Sequence, residues 1–327
     1  MGRAALGPRA PRLHEAVKNN LTLDWEIGDT TEVDAIFGAA HHVTRLDLRN
    51  NRVVVSAMEP RAALAEYDAE SSRYTLHVPS QGVFGLHNGI AGVMGVAPEQ
   101  VRILTNHVGG SFGMKGAPYP EYSPILLAAR ELGRPVKWCD ERSDSFVSDQ
   151  QGRDSWAEAA IALDEEGHLL AGRVISHANV GAYLSGVGPN MQTNNIRKNF
   201  PGPYRLPVLH ARTYAVFSNT VPIGAYRGAG RPEGVYYMER LLDTAAAELG
   251  IDRVEIRRRN LVGADEIPYL AASGLTYDSG DFPAVLDTAL SAADWSGFEA
   301  RYKRSGENGK LRAASWKPRS RHRAAPA

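Results

Sequence analysis

The 327-residue chain contains a single cysteine, Cys139. One thiol cannot form an internal disulfide, and alone it cannot hold an iron–sulfur cluster or a zinc ion. The chain also lacks an apolar run long enough to cross a membrane, and its N-terminus has no signal-peptide core. We therefore expect a soluble, cytoplasmic protein with no membrane partner and no metal site built from cysteines.

An excess of charge of either sign is also missing, because 37 Lys and Arg residues balance 37 Asp and Glu residues. A balanced chain gives no electrostatic reason to expect nucleic acid as a partner. Two common phosphate-binding patterns are absent as well. The Walker pattern needs Gly-Lys-Ser/Thr and the dinucleotide pattern needs Gly-x-Gly-x-x-Gly, and the glycine-rich stretch at residues 108–116 fits neither.

Two glycine-rich stretches stand out among what is present. The first glycine loop, residues 108–116, follows a strand-like run, and the second glycine loop, residues 222–233, precedes a predicted helix. Closely spaced glycines let backbone N–H groups approach a ligand, and a helix N-terminus beside Arg227 and Arg231 is an anion site by geometry. A tight strand-to-helix turn and a capped turn with two solvated arginines are the alternatives.

Strand signals interleaved with a few helices predict an α+β fold of mixed sheets with packed helices, built from two subdomains. The first subdomain would span residues 30–150 together with the strands after residue 205. The second would include a hairpin at residues 156–177, whose turn carries Gly167.

Three short motifs carry a resemblance to a known family. They are Pro79-Ser80-Gln81, then Gly109 to Gly113, then Ala225 to Glu233, in this order, with Gln81 and Phe112 separated by 31 residues. In order and spacing they resemble the large, molybdopterin-binding subunits of the xanthine dehydrogenase, aldehyde oxidase and aerobic carbon monoxide dehydrogenase family. The similarity covers roughly residues 15–312 and corresponds to the first half of the molybdenum-cofactor region.

The resemblance implies a molybdenum–pterin cofactor, in its cytosine dinucleotide form, and a role for five residues. Gln81 would hydrogen-bond an oxo ligand of the metal, because an amide donates a proton without adding charge. The backbone of Gly110 and Gly113 and the ring of Phe112 would line the cofactor, and Arg227 would lie at the same centre. In this family the cofactor's dithiolene binds the metal, so no protein metal ligand is expected.

Three positions depart from the family and bear on the substrate pocket. Gly228 stands where carbon monoxide dehydrogenases carry a copper-binding cysteine, which disfavours carbon monoxide as the substrate. Gly116 and Ala229 stand where the xanthine enzymes carry a purine-binding glutamate and a stacking phenylalanine, which leaves purine unsupported. The resemblance therefore implies an oxidative hydroxylation, with water, of an aldehyde or an N-heterocycle of unknown identity.

The catalytic glutamate of the family lies in a Gly-x-Gly-Glu motif, which this chain does not contain. Glu121 and Glu233 are the acidic residues nearest the two loops, but neither matches the position of that base, so no catalytic residue is assigned. Iron–sulfur centres and FAD would be carried by partner subunits. Expressed alone, the chain is expected neither to hydroxylate a substrate nor to retain the cofactor.

These observations divide the chain into three parts. Residues 1–30 would be a remnant of a preceding small domain and a linker, residues 31–300 the first half of the cofactor-binding domain, and residues 301–327 a disordered basic tail that includes Trp316. The chain would then be a fragment of a large subunit. A truncated or frame-shifted product without activity, and a generic phosphate- or nucleotide-binding protein, are the competing interpretations.

Overall fold

The computed structural model describes residues 2–313 and contains a five-stranded sheet, a four-stranded sheet and a two-stranded ribbon. The sheets are mixed and helices pack on them, so the predicted α+β fold is confirmed. The strands are β1 (Leu21–Ile27), β2 (His42–Asn50), β3 (Ala62–Asp68), β4 (Arg73–His77), β5 (Val101–Leu104), β6 (Val136–Cys139), β7 (Ser155–Leu163), β8 (Leu169–Gly181), β9 (Val208–Phe217), β10 (Tyr269–Leu270) and β11 (Thr276–Tyr277).

Helices connect these strands and pack on the two large sheets. They are α1 (Gly2–Ala5), α2 (Thr30–Ala39), α3 (Val83–Met94), α4 (Tyr122–Leu132), α5 (Arg142–Ser148), α6 (Gly188–Asn190), α7 (Ile196–Asn199), α8 (Arg231–Leu249), α9 (Arg253–Asn260), α10 (Phe282–Ala292) and α11 (Phe298–Glu307). Among residues 2–313 we find no helix that combines the length and the apolar character of a membrane span.

The longer helices begin and end where the sequence supplies caps. At the start of α9 the Asp252 carboxylate accepts hydrogen bonds from the N–H groups of Val254 and Glu255, which would otherwise lack partners. Gly133 and Gly250 end α4 and α8 in the left-handed conformation, with φ of 61° and 67°, which a glycine adopts without a Cβ clash.

The five-stranded sheet has the order β1-β9-β8-β7-β2. The β8–β9 pair is parallel and the other three pairs are antiparallel. The predicted hairpin is confirmed, since β7 and β8 pair across a turn in which Gly167 has a φ of 83°. α8 packs on this sheet through fully buried side chains that include Tyr237, Leu241 and Leu242.

The four-stranded sheet has the order β5-β4-β3-β6, with β4 and β5 parallel. α3 and α4 cover one face through Leu76, Leu86 and Leu126, which are at most 1% exposed. Burying one such side chain contributes about 1.5–3 kcal/mol. Because β4 and β5 run in the same direction, the segments that follow them leave the sheet at one edge. Gln81 and the first glycine loop therefore lie side by side.

The predicted assignment of strands to subdomains is wrong in part. β9, which follows residue 205, pairs with β8 and β1 in the five-stranded sheet, and β2 pairs with β7 there. The alternating pattern of a strand predicts its buried face but not its partner, which is set by contacts far along the chain. β1, which lies in the segment predicted to be a remnant and linker, also belongs to this sheet.

The boundary predicted for the tail also requires a correction. α11 continues through Glu307, and Ser305 on it is buried. The Nε of Arg312 donates to the Ser305 hydroxyl at 2.9 Å. Residues 301–307 are therefore helical rather than disordered. Trp316 lies outside the described residues.

Arg61, at the entrance of β3, is fully buried and joins three segments. Its guanidinium donates to Asp149 at 2.5 Å and to Glu121 at 2.7 Å, and it lies 3.9 Å from the ring centroid of Tyr119. Burial opposes its charge, but the hydrogen bonds to Glu121 and Asp149 outweigh that effect, so the pKa of Arg61 lies above its ordinary value. One cation thus fixes the start of α4 and the end of α5 to the four-stranded sheet.

We predict that Arg61→Met will destabilise the chain by about 3–5 kcal/mol, because it leaves buried carboxylates without their cation. The control is Arg130→Met, which removes a half-exposed guanidinium that pairs with Glu131 and should cost less than about 1 kcal/mol. Urea unfolding followed by tryptophan fluorescence measures both. Equal losses in the two variants would contradict the role given to Arg61.

Candidate functional site

The first glycine loop depends on left-handed backbone conformations. Gly110 and Gly113 have φ of 102° and 103°, and Phe112 between them has a φ of 52°. A bulky residue in this region costs roughly 1–3 kcal/mol and persists only where its surroundings impose it. The Phe112 side chain is 45% exposed, so the strain does not serve to bury it.

The first glycine loop holds the side chain of Gln81 in one orientation. The Gln81 Oε1 accepts hydrogen bonds from the Ser111 hydroxyl and from the Gly113 N–H, both at 2.7 Å. Two donors at one atom identify it as the oxygen of the amide. The Gln81 Nε2 has no acceptor among residues 2–313 and is exposed with the side chain. It is free to donate to a ligand.

Glu59 stabilises the start of the first glycine loop through hydrogen bonds. Its Oε2 accepts from the Gly109 N–H at 2.9 Å and from the Nζ of Lys115 at 2.6 Å. Lys115 is 1% exposed. Partial burial favours the protonated form of Glu59, but the hydrogen bonds from Lys115 and Gly109 outweigh it, and the pKa of Glu59 lies below its ordinary 4.5. An ionised Glu59 therefore stabilises the loop.

The second glycine loop leads into α8 through three consecutive residues with positive φ. Gly228, Ala229 and Gly230 have φ of 101°, 47° and 89°. A Cβ at Gly230 would lie 2.2 Å from the carbonyl oxygen of Met191, so only glycine fits there. The Nδ2 of Asn195 donates to the Ala229 carbonyl at 2.8 Å. The loop is thus closely packed on the segment around α6 and α7.

The two glycine loops contact each other directly. The Arg227 N–H donates to the Phe112 carbonyl at 2.9 Å, and the Arg227 guanidinium lies 5.6 Å from the Phe112 ring centroid. A Cβ at Gly113 would lie 2.6 Å from the carbonyl oxygen of Ala225. The structure therefore brings Gln81, Phe112 and Arg227 together, as the sequence motifs predict.

The three predicted pocket positions are small for different reasons. A Cβ at Gly116 would meet no atom within 4 Å, whereas one at Gly228 would lie 2.6 Å from the Pro232 ring. Gly116 and Gly228 are exposed and Ala229 is half-buried. Packing therefore requires glycine at position 228 and leaves position 116 open to a larger side chain. Chain packing does not explain the small residue at Gly116.

Sequence reasoning missed Arg153, which holds the second glycine loop. Its guanidinium donates to the carbonyls of Tyr226 and Arg227 at 3.1 and 2.9 Å and pairs with Glu233 at 3.2 Å. Burial raises the pKa of Glu233, and the Arg153 charge only partly offsets this. The one signal was Glu233 itself, an acid in the first turn of a predicted helix, but nothing in the sequence indicated its partner.

Glu121 and Glu233, the two acidic residues singled out from the sequence, have structural roles. Glu233 is 3% exposed and pairs with Arg153, and Glu121 pairs with Arg61. Neither carboxylate is free to act as a base in this arrangement.

A cavity of about 240 Å³ lies beside β3, β4 and β6, and its lining includes Pro79 and, directly before the first glycine loop, His107. Leu64, His77, His107 and Lys137 are among the residues that line it, and none of the predicted site residues does. The direct contacts between the two glycine loops, rather than this cavity, define the candidate site.

A family model described as the molybdopterin cofactor-binding domain matches residues 13–261, which include Gln81 and both loops. The chain belongs to this family. The resemblance inferred from the motifs is thereby confirmed.

Curated relatives of this molybdopterin cofactor-binding domain are parts of larger enzymes. The gamma subunit of the 6-hydroxypseudooxynicotine dehydrogenase complex of Paenarthrobacter nicotinovorans is 35% identical over 85% of this chain and 36% of its own length. The carbon monoxide dehydrogenase large chain of Hydrogenophaga pseudoflava is 30% identical over 90% of this chain and 36% of its own length. The chain thus spans little more than a third of these relatives.

A solved structure agrees with the fold. Quinoline 2-oxidoreductase from Pseudomonas putida 86 superposes with a TM-score of 0.87 at 27% identity, over 94% of this chain and 39% of that one. The mixed sheets with packed helices are therefore also present in the matched part of that oxidoreductase.

The donor groups at the site fit an anionic cofactor. The Gln81 Nε2 has no protein acceptor, and neither Arg227 nor Arg231 has a carboxylate partner among residues 2–313. Arg231 makes only a 3.3 Å hydrogen bond to the Gly228 carbonyl. Two guanidinium groups without a counter-ion, at the N-terminus of a 19-residue helix, favour a ligand with phosphate or other anionic groups.

We predict that Gly113→Ala will separate the two glycine loops. The variant combines a left-handed backbone with a Cβ placed against the Ala225 carbonyl, and it should cost more than about 1 kcal/mol. Gly116→Ala is the matched control, because its Cβ meets no atom within 4 Å, and it should change the free energy of unfolding by less than about 0.5 kcal/mol. Urea unfolding measures both, and a harmless Gly113→Ala would contradict the close contact.

Glu59 gives the first glycine loop a pH dependence. Its pKa is lowered in the folded chain, so its stabilising contribution is present above its ordinary 4.5 and is lost as pH falls through the lower folded value. We expect wild type to exceed Glu59→Gln in unfolding free energy by about 1 kcal/mol at pH 7. The difference should shrink below pH 4.5. A difference that stays constant down to pH 3 would contradict this assignment.

Proposed function

We propose that this chain forms part of the large subunit of a molybdenum hydroxylase and supplies one side of its cofactor site. The observation that carries the proposal is the convergence of Gln81, Phe112 and Arg227 where two glycine loops meet. When bound, the molybdenum–pterin cofactor would supply the redox chemistry by which water hydroxylates a substrate. The cytosine dinucleotide form is the one that we expect.

The residues of this chain would bind and orient the cofactor. The Gln81 Nε2, fixed by the two hydrogen bonds to its oxygen, would donate to an acceptor on the metal side of the group. The backbone around Gly110 and Gly113 would lie against its flat edge, where a side chain would prevent close approach. Arg227 would compensate negative charge on the cofactor, because no carboxylate of residues 2–313 neutralises its guanidinium.

We propose an N-heterocycle or an aldehyde as the substrate of the whole subunit. Relatives named for 6-hydroxypseudooxynicotine, nicotine and quinoline support the first class, and an aldehyde oxidoreductase supports the fold for the second. Although two relatives are carbon monoxide dehydrogenase large chains, Gly228 offers no copper ligand. The single cysteine, Cys139, lies in β6 of the four-stranded sheet and not beside Arg227. Carbon monoxide is therefore disfavoured.

Partner subunits would receive the electrons. A chain with one cysteine cannot hold an iron–sulfur cluster, and the first relative is the gamma subunit of a complex. We propose that iron–sulfur and FAD subunits complete the enzyme. Gly116, Gly228 and Ala229 would leave room for a substrate larger than carbon monoxide.

Cofactor binding by the chain tests this proposal. Anaerobic equilibrium dialysis against excess molybdenum–pterin cofactor, with molybdenum and pterin both quantified, should show weak binding. The cofactor should be lost when the chain is purified afterwards. Gly113→Ala should bind at least about tenfold more weakly, because the loops that present the donors move apart, whereas Gly116→Ala should bind like wild type. No binding by wild type, or equal binding by all three proteins, would contradict the proposal.

A further inference from the structure

The peptide group between Tyr226 and Arg227 is held from both sides. Its carbonyl accepts from the Nη1 of Arg153 at 3.1 Å, and its N–H donates to the Phe112 carbonyl at 2.9 Å. In a trans peptide these two groups point in opposite directions. This single planar unit therefore connects Arg153 to the first glycine loop.

The next peptide group is held by the same guanidinium. The Nη2 of Arg153 donates to the Arg227 carbonyl at 2.9 Å. The two peptide planes that flank the Cα of Arg227 are thus both fixed by one planar fork of N–H donors. Fixing both planes fixes φ and ψ of Arg227, and with them the direction in which its side chain leaves the backbone.

Arg153 is itself held firmly enough to do this. It pairs with both oxygens of Glu233 at 3.2 Å, and its own carbonyl accepts from the Nε2 of Gln192 at 3.2 Å. Its guanidinium also lies 5.1 Å from the ring centroid of Tyr226. The backbone of Arg153 has a φ of 67°, a conformation that an arginine rarely adopts unless its contacts require it.

We propose that Arg153 is a positioning residue that aims the Arg227 guanidinium into the site. Among residues 2–313 the Arg227 side chain has no carboxylate partner, and its guanidinium lies against the exposed Phe112 ring. The direction in which the side chain leaves the backbone follows from the backbone of Arg227. Arg153 holds that backbone through both flanking carbonyls, and the Ala229 N–H adds a hydrogen bond of 2.8 Å to the Tyr226 carbonyl. The inference rests on the proposed function only for the ligand that Arg227 would meet.

The geometry of the Arg153 guanidinium allows a variant that removes part of its contacts and keeps its charge. Arg153→Lys keeps a cation for Glu233 but replaces five donors in a rigid plane with one ammonium, which cannot serve both carbonyls and the carboxylate in the same way. Arg212→Lys is the matched control. Arg212 pairs with Asp24 at 2.8 and 2.9 Å and lies 4.7 Å from the ring centroid of Tyr214, so its lysine variant loses a bidentate carboxylate contact and a cation–π contact without touching either glycine loop.

Amide hydrogen exchange on the chain without cofactor tests the positioning. In Arg153→Lys we expect the Arg227 N–H to lose at least about tenfold of its protection, while amides in the buried part of α8, such as that of Leu241, keep theirs. Glu233→Gln should also lower the protection of the Arg227 N–H, but by a smaller factor. Arg212→Lys should leave it unchanged.

A purely structural role would lower protection throughout the chain, so a uniform loss in Arg153→Lys would overturn the proposal. Equal effects of Arg153→Lys and Arg212→Lys on the Arg227 amide would also overturn it. The proposed function is judged separately, by the dialysis of the wild-type chain with molybdenum–pterin cofactor. If the wild-type chain does not bind the cofactor, the conclusion from the exchange experiment still stands. If the exchange rate of the Arg227 amide is unchanged in Arg153→Lys, the conclusion from the binding experiment still stands.

Discussion

The contact between the two glycine loops is the constraint on which the site depends. Gly113 approaches the Ala225 carbonyl so closely that no side chain fits, and a Cβ at Gly152 would likewise lie 2.6 Å from the Cβ of Tyr226. The first loop leaves the four-stranded sheet and the second follows the five-stranded sheet. The candidate site is therefore also a seam between the two sheets, and it forms only when both are folded and correctly placed.

Backbone strain is concentrated at this seam. Phe112, Arg153, Asp154 and Ala229 all have positive φ, and residues of these types, Asp apart, rarely adopt it. At roughly 1–3 kcal/mol each, they oppose folding by an amount comparable with the net stability of a domain, about 5–15 kcal/mol. The hydrogen bonds around them hold the conformation.

Local features of the fold could be predicted from the sequence because they depend on neighbouring residues. The hairpin around Gly167 and the helix that begins at Arg231 follow from turn and capping chemistry. The partner of β9 could not be predicted, since sheet order is decided by contacts between distant segments. For the same reason the sequence indicated the residues of the two loops but not Arg153, whose guanidinium contacts residues more than 70 positions away.

The orientation of Gln81 distinguishes the residue that folding requires at this position from the residue that ligand binding requires. A glutamate has the same shape, and its carboxylate would accept the hydrogen bonds from Ser111 and Gly113 at least as well as the amide does. Folding alone therefore gives no reason to prefer glutamine at this position. The difference is confined to the atom that faces outward, where an amide presents a neutral donor and a carboxylate presents a second negative acceptor. Selection on thermal stability would not distinguish the two residues, whereas selection for an electron-rich ligand would retain only the amide.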